Sequence, residues 1–316
     1  MIRMNKTTIF GIIIFVIMLS TGIGYAFLSS NLSINGTATV SSKEIICKRA
    51  TSLHTETCTA EDKSMHYSCG DDGYTLNSSM VNFGKLGVQG NSLQAGDAFD
   101  CDVNGDGTYN STNERFYYVT DLDTDNSYAV LIFYSNISSY TGAVTENTVF
   151  TYSGGYDTLT NGPINLRQLL PETDYWSNVH LASTVRNITD DTGKVYVQNF
   201  EYKAGSNYRT ARLLTFKELT KACPTAQVTK GKTIKGKCEY LAERTHYISA
   251  KYSKGYWLED VYPATALEGT YNKAWVMDGR GRTTYPVYGR GYDDNDSTGQ
   301  FGLRPAIEVK KGQIDY

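Results

Sequence analysis

The sequence predicts an α+β domain of mostly antiparallel strands, carried behind an N-terminal membrane segment. Three observations support this. Short runs rich in β-branched and aromatic residues recur from Val81 onward, separated by Gly, Asn and Asp. Only two short stretches carry helix signals. The first residues form an apolar run preceded by positive charge.

The apolar run comes first in the chain. Arg3 and Lys6 precede Ile9–Leu19, and apolar character continues to Leu28. Gly24-Tyr-Ala26 offers a small-x-small cleavage site. From Thr8 to Leu28 the segment also reaches the roughly 20 residues that a spanning helix needs. Residues 1–28 therefore read as a cleaved signal peptide or a retained transmembrane anchor. Either way the positive end stays inside and the rest of the chain is exported.

Residues 29–80 read as a stalk with a small cysteine-containing segment. Its opening, Ser29 to Val40, alternates small, polar and β-branched residues. The string "AY…L…INGTATV" resembles the start of many exported proteins of Gram-positive-type bacteria. Residues 81–316 then suffice for one large domain with a sizeable core.

Six cysteines, Cys47, Cys58, Cys69, Cys101, Cys223 and Cys238, fit an exported chain held by disulfides. Pairing of sequence neighbours is the simplest expectation: Cys47 with Cys58, Cys69 with Cys101, Cys223 with Cys238. A zinc site would favour Cys-x2-4-Cys spacing, which is absent. The formal net charge of −3 gives no electrostatic case for nucleic acid.

The most informative stretch runs from Asp100 to Glu114. Starting at Asp102 it offers oxygens at alternate positions: Asp102, Asn104, Asp106, the Thr108 carbonyl and Asn110. Gly107 stands where a calcium loop must turn sharply. Calcium wants six to eight oxygens, and a short chain supplies them by curling around the ion with this period. The segment resembles the calcium loop of dockerin modules. Two departures stand out. Asn113 occupies the twelfth position, normally a bidentate Glu, and Glu114 follows one place late. Arg115–Thr120 reads as a strand where an exit helix would follow. The competing expectation is a metal-free turn, because Asn-Gly and Asp-Gly are strong turn signals.

Further on, Arg115–Thr120 and Tyr128–Tyr134 flank a polar turn and form a hairpin. The second of these is apolar without alternation, so it should be buried on both faces. Ile164–Leu170 reads as a helix stopped by Pro171. Arg212–Thr215 runs into a second helix at Thr215-Phe-Lys-Glu218, a capping box. Strand-like pieces follow at Gly255–Glu259, Ala274–Met277 and Gly302–Val309, with a Gly- and Tyr-rich surface stretch before the last.

These pieces together, "VNFGKLG", "FYYVTDLDTDNSYAVLIFY", "ARLLTFKEL", "YWLED", "AWVMDGRG" and "FGLRPAIEV", resemble an uncharacterised bacterial surface domain. That domain is related to C-type-lectin-like folds, as in sulfatase-modifying-factor proteins and retroelement variable proteins. The resemblance spans Val81 to Val309. It implies a C-type-lectin-like core with antiparallel strands, two helices and a loop-rich C-terminal half displaying variable side chains. It implies no particular activity.

The four histidines, His54, His66, His180 and His246, lack ligand spacing, and no motif of a hydrolase or nucleotide-binding loop is present. Trp257 and Trp275 fall inside strand patterns and should pack in the core. Trp176, after Pro171, reads as a partly exposed aromatic. Tyr285, Tyr288, Arg290 and Tyr292 lie in the most interface-like loop, because Tyr and Arg give large contact area for few rotors. The expected function is that of an exported, membrane-tethered binding module, stabilised by calcium, for an extracellular glycan or protein. An exported enzyme on the same fold, or a structural envelope component, are the alternatives.

Overall fold

A computed structural model describes residues 44–57, 80–145, 148–153, 158–223, 238–241, 243–244, 255–262, 273–277, 287–288 and 301–316. They form a mostly-sheet α+β fold with few helices and belong to one compact unit, Glu44–Tyr316. The expected membrane segment, residues 1–28, lies outside the described residues. Among those described, no helix is long and apolar enough to cross a membrane.

The chain lays down β1 (Cys47–Arg49), β2 (His54–Thr57), β3 (Met80–Phe83), β4 (Ala98–Cys101), β5 (Arg115–Leu122) and β6 (Asp125–Phe133). Then come β7 (Val185–Thr189), β8 (Val195–Glu201), β9 (Lys203–Ala204) and β10 (Asn207–Tyr208). The last are β11 (Tyr256–Tyr262), β12 (Lys273–Met277), β13 (Val287–Tyr288), β14 (Ala306–Lys310) and β15 (Ile314–Asp315). The main sheet has the order β14-β6-β5-β4-β1-β15, and a three-stranded sheet runs β11-β12-β13. Pairing in the main sheet is antiparallel except between β1 and β15.

The expected hairpin is β5 and β6, which extend further than the sequence indicated and leave only Asp123 and Thr124 between them. β6 lies between β5 and β14, and its segment Ala129–Phe133 is fully buried. That accounts for its unbroken apolar run, since covered strands have no solvent face to alternate with. Ile164–Arg167 forms a helix one turn shorter than the pattern suggested. The helix Phe216–Ala222 carries the expected capping box, with Glu218 N–H donating to Thr215 Oγ1 and Thr215 N–H to Glu218.

The segment expected to be a stalk contributes to this unit. β1 joins the main sheet beside β4, and β2 pairs with β3. This also corrects the cysteine pairing. Cys47 bonds to Cys101, in place of the expected Cys47–Cys58 and Cys69–Cys101 pairs, because antiparallel pairing sets Cys47 directly opposite Cys101. Cys58 and Cys69 lie outside the described residues. Cys223 bonds to Cys238 as expected.

Two buried arginines tie the layers together. Arg212 donates through Nε to Glu308 on β14 at 2.6 Å and through both Nη atoms to Glu218 at 2.8 and 2.5 Å. The capped helix is thereby fastened to the main sheet. Arg304 gives its three nitrogens to the carbonyls of Phe133, Leu241 and Tyr240 at 2.5–2.7 Å. The sequence "GLRPAI" is thus a backbone clamp at the end of β6.

Candidate functional site

The acidic loop connects β4 to β5. Asp102 is buried, and its carboxylate accepts the N–H groups of Gly105, Asp106 and Gly107 at 2.8–3.0 Å. Gly105 and Gly107 have φ of +75° and +80°, a region costly for other residues. Asn104 Oδ1 accepts Asp106 N–H, and Asp106 Oδ1 accepts Thr108 N–H and its hydroxyl. Asn110 Oδ1 accepts Thr112 N–H. The loop therefore curls as its spacing implied, with each side-chain oxygen turned onto the local backbone.

Other segments grip the loop from outside. Asn178 Nδ2 donates to the Asp102 carbonyl at 2.8 Å and Ser177 Oγ to the Asn104 carbonyl at 2.6 Å. Tyr134 donates to the Thr112 carbonyl at 2.5 Å, and Tyr109 donates to the Ile45 carbonyl at 2.6 Å. His54 Nε2 meets the Ser111 carbonyl at 2.5 Å while its Nδ1 meets Glu243 at 2.6 Å. The loop is thus held by the strands and by the segment after Pro171.

Against this loop lies a cavity of about 730 Å³. Asn104, Asp106, Asn113 and Glu114 line one wall, and Thr141–Val144 and Asp174–Trp176 line the other. The structure thus brings four of the seven candidate calcium ligands to one space. Asp102 lies beneath the loop, and Thr108 and Asn110 are not on the cavity wall. Glu114 is 4% exposed. Its Oε2 accepts Asn110 N–H at 2.9 Å, whereas Oε1 is buried without a partner. Burial pushes its carboxyl up to about 7, and the neighbouring Asp106, Asp102 and Asp100 add to the rise, opposed by the Asn110 hydrogen bond. Burial thus favours the neutral carboxyl, and a cation alongside would favour the charged form.

Trp176 departs from expectation. It is 5% exposed, packed edge-on against Phe116 and Phe133 at 5.7 and 5.4 Å, and forms the cavity floor. Gly142 lies directly on it: a Cβ there would come within 2.5 Å of Trp176 Nε1. The exposed aromatics at this end are Tyr140 and Tyr175, with ring centroids 5.6 Å apart. They, Asp174 and Val144 were not singled out from the sequence. The only hint was the polar loop around Trp176. Trp257 and Trp275 are buried as expected. Tyr285, Arg290 and Tyr292 lie outside the described residues, and of Tyr288 only the backbone, in β13, is described.

Among the described residues, no group of three or more His, Cys, Asp or Glu is placed to hold a metal. The loop's own candidates are mostly amide and carbonyl oxygens. Compared with known protein families, with curated proteins and with solved structures, the chain matches none.

Proposed function

We propose that this chain is an exported, membrane-tethered surface protein whose β-rich domain is an extracellular binding module stabilised by calcium. The observation that carries the reading is the loop Asp102–Glu114. It has the turn, the glycines and the oxygen spacing of a calcium loop, and a buried Glu114 oxygen without a partner at its end. The calcium shell would draw on Asp102, Asn104, Asp106, the Thr108 carbonyl and Asn110, completed by Asn113 or Glu114. Export is supported by the apolar N-terminal sequence and by two disulfides. A C-type-lectin-like arrangement is the finer fold proposal. It rests on the antiparallel sheets, the few helices and the arginine-clamped strand near the C-terminus. An extracellular glycan or protein is the proposed partner, and Tyr285–Tyr292 remains a proposed contact loop.

Calcium titration of the purified chain tests the metal reading. The displaced twelfth-position ligand points to a Kd of about 10⁻⁴ to 10⁻³ M, the range of extracellular modules. Asp106→Ala should lower the melting temperature in calcium and leave it unchanged in chelator. Equal loss in both conditions would show that the loop is a turn and nothing more.

A further inference from the structure

The cavity beside the acidic loop has a composition that the calcium reading does not use up. Asp106, Glu114 and Asp174 bring carboxylates to it, and among its described lining residues none is basic. Its floor is Trp176 and its edge is Tyr175, on which Tyr140 packs. Tyr140 and Tyr175 are each 42% exposed, an aromatic pair turned outward from a rigid base. Val103, Ala143 and Val144 supply aliphatic wall between the aromatic and acidic parts.

The lining stays negative with calcium in place. Asp106, Glu114 and Asp174 are its three carboxylates, and one divalent ion, which would hold Glu114 ionised, offsets two of them. Glu114 is 4% exposed and its Oε1 accepts no hydrogen bond, so a cation on this wall, the proposed calcium or a ligand's, would give it a partner. Asp174 stands on the far wall from the loop and is itself exposed, so it is open to a ligand whether or not the ion is bound.

We infer that this cavity takes the cationic end of a lysine or arginine side chain from an extracellular protein or peptide. Such side chains have an apolar stem and a charged head. The stem fits the aliphatic wall, the head meets the carboxylates, and the tyrosine faces attract the cation. This assignment rests on reading the domain as an extracellular binding module, and it adds a contact site to the proposed Tyr285–Tyr292 loop.

The test uses the full chain in detergent with saturating calcium. The probes are N-acetyl-lysine methylamide, N-acetyl-arginine methylamide and the uncharged isostere N-acetyl-norleucine methylamide, titrated by calorimetry or NMR. The expected result is binding of both cationic probes, with norleucine at least roughly tenfold weaker. Asp174→Asn and Tyr175→Ala, both at exposed positions, should each weaken the lysine probe roughly tenfold while calcium affinity and melting temperature stay unchanged. Equal binding of norleucine, or wild-type affinity in both variants, overturns the inference. No binding of either cationic probe, with calcium still bound, also overturns it and leaves the calcium reading standing. Lysine binding without any calcium binding supports it and removes the metal instead.

Discussion

Asp260 on β11 carries a consequence for stability that follows from its surroundings. It is 4% exposed, accepts Phe216 N–H at 2.5 Å and the Thr189 hydroxyl at 3.2 Å, and has Glu259 beside it. Burial pushes its carboxyl up to about 8, with the Phe216 hydrogen bond opposing and Glu259 adding to the rise. An unfolded aspartate titrates near 4. Folding therefore takes up a proton between about pH 4 and pH 8. The stability this group contributes is fully present below about pH 4 and lost as pH rises through 8, with a slope of at most about 1.4 kcal/mol per pH unit. Asp260→Asn should flatten that decline, because its amide can still accept from Phe216 and donate to Thr189. Urea unfolding of both proteins from pH 5 to pH 8.5 checks it, and parallel profiles would refute it. Nothing in the sequence marks Asp260, since "YWLED" reads as an ordinary strand end and its partners Phe216 and Thr189 come from segments distant in sequence.

At the scale of elements, the disulfide between β1 and β4 staples two neighbouring strands of the main sheet where the acidic loop begins. Its partners are 54 residues apart, so in the chain-entropy model it contributes about 4 kcal/mol by restricting the unfolded chain. The double variant Cys47→Ala, Cys101→Ala should lose stability of that order in chemical denaturation. It should also weaken calcium binding, because Asp102 follows Cys101 directly. An unchanged denaturation midpoint would show that the β1–β4 pair is held by its hydrogen bonds alone. The capping box at Thr215 and Glu218 was legible because its signal is contained in four consecutive residues. The Cys47–Cys101 pairing was not, because it follows from strand register.

For the whole molecule, the proposed tether governs where the domain works. An anchored chain should fractionate with membranes and keep its N-terminal segment. Mass spectrometry of the mature N-terminus decides this, and a start at Phe27 with release to the medium would sink the anchor.

By itself the sequence determined what local pattern encodes. The β5–β6 hairpin, the buried run Ala129–Phe133, the capped helix, the Cys223–Cys238 link and the curl of the Asp102–Glu114 loop all arise from residues within about 20 positions of one another. Tertiary structure alone decided the rest. Trp176 looked like a surface aromatic in a polar loop, and packing against Phe116 and Phe133 made it a floor. Glu114 looked like a late calcium ligand, and burial gave it a raised pKa and an oxygen without a partner. Asp174, Tyr175 and Tyr140 carried no signal, because a cavity is made by segments distant in sequence meeting in space. Their chemistry depends on which carboxylates and rings the fold sets opposite them, and composition does not encode that neighbourhood.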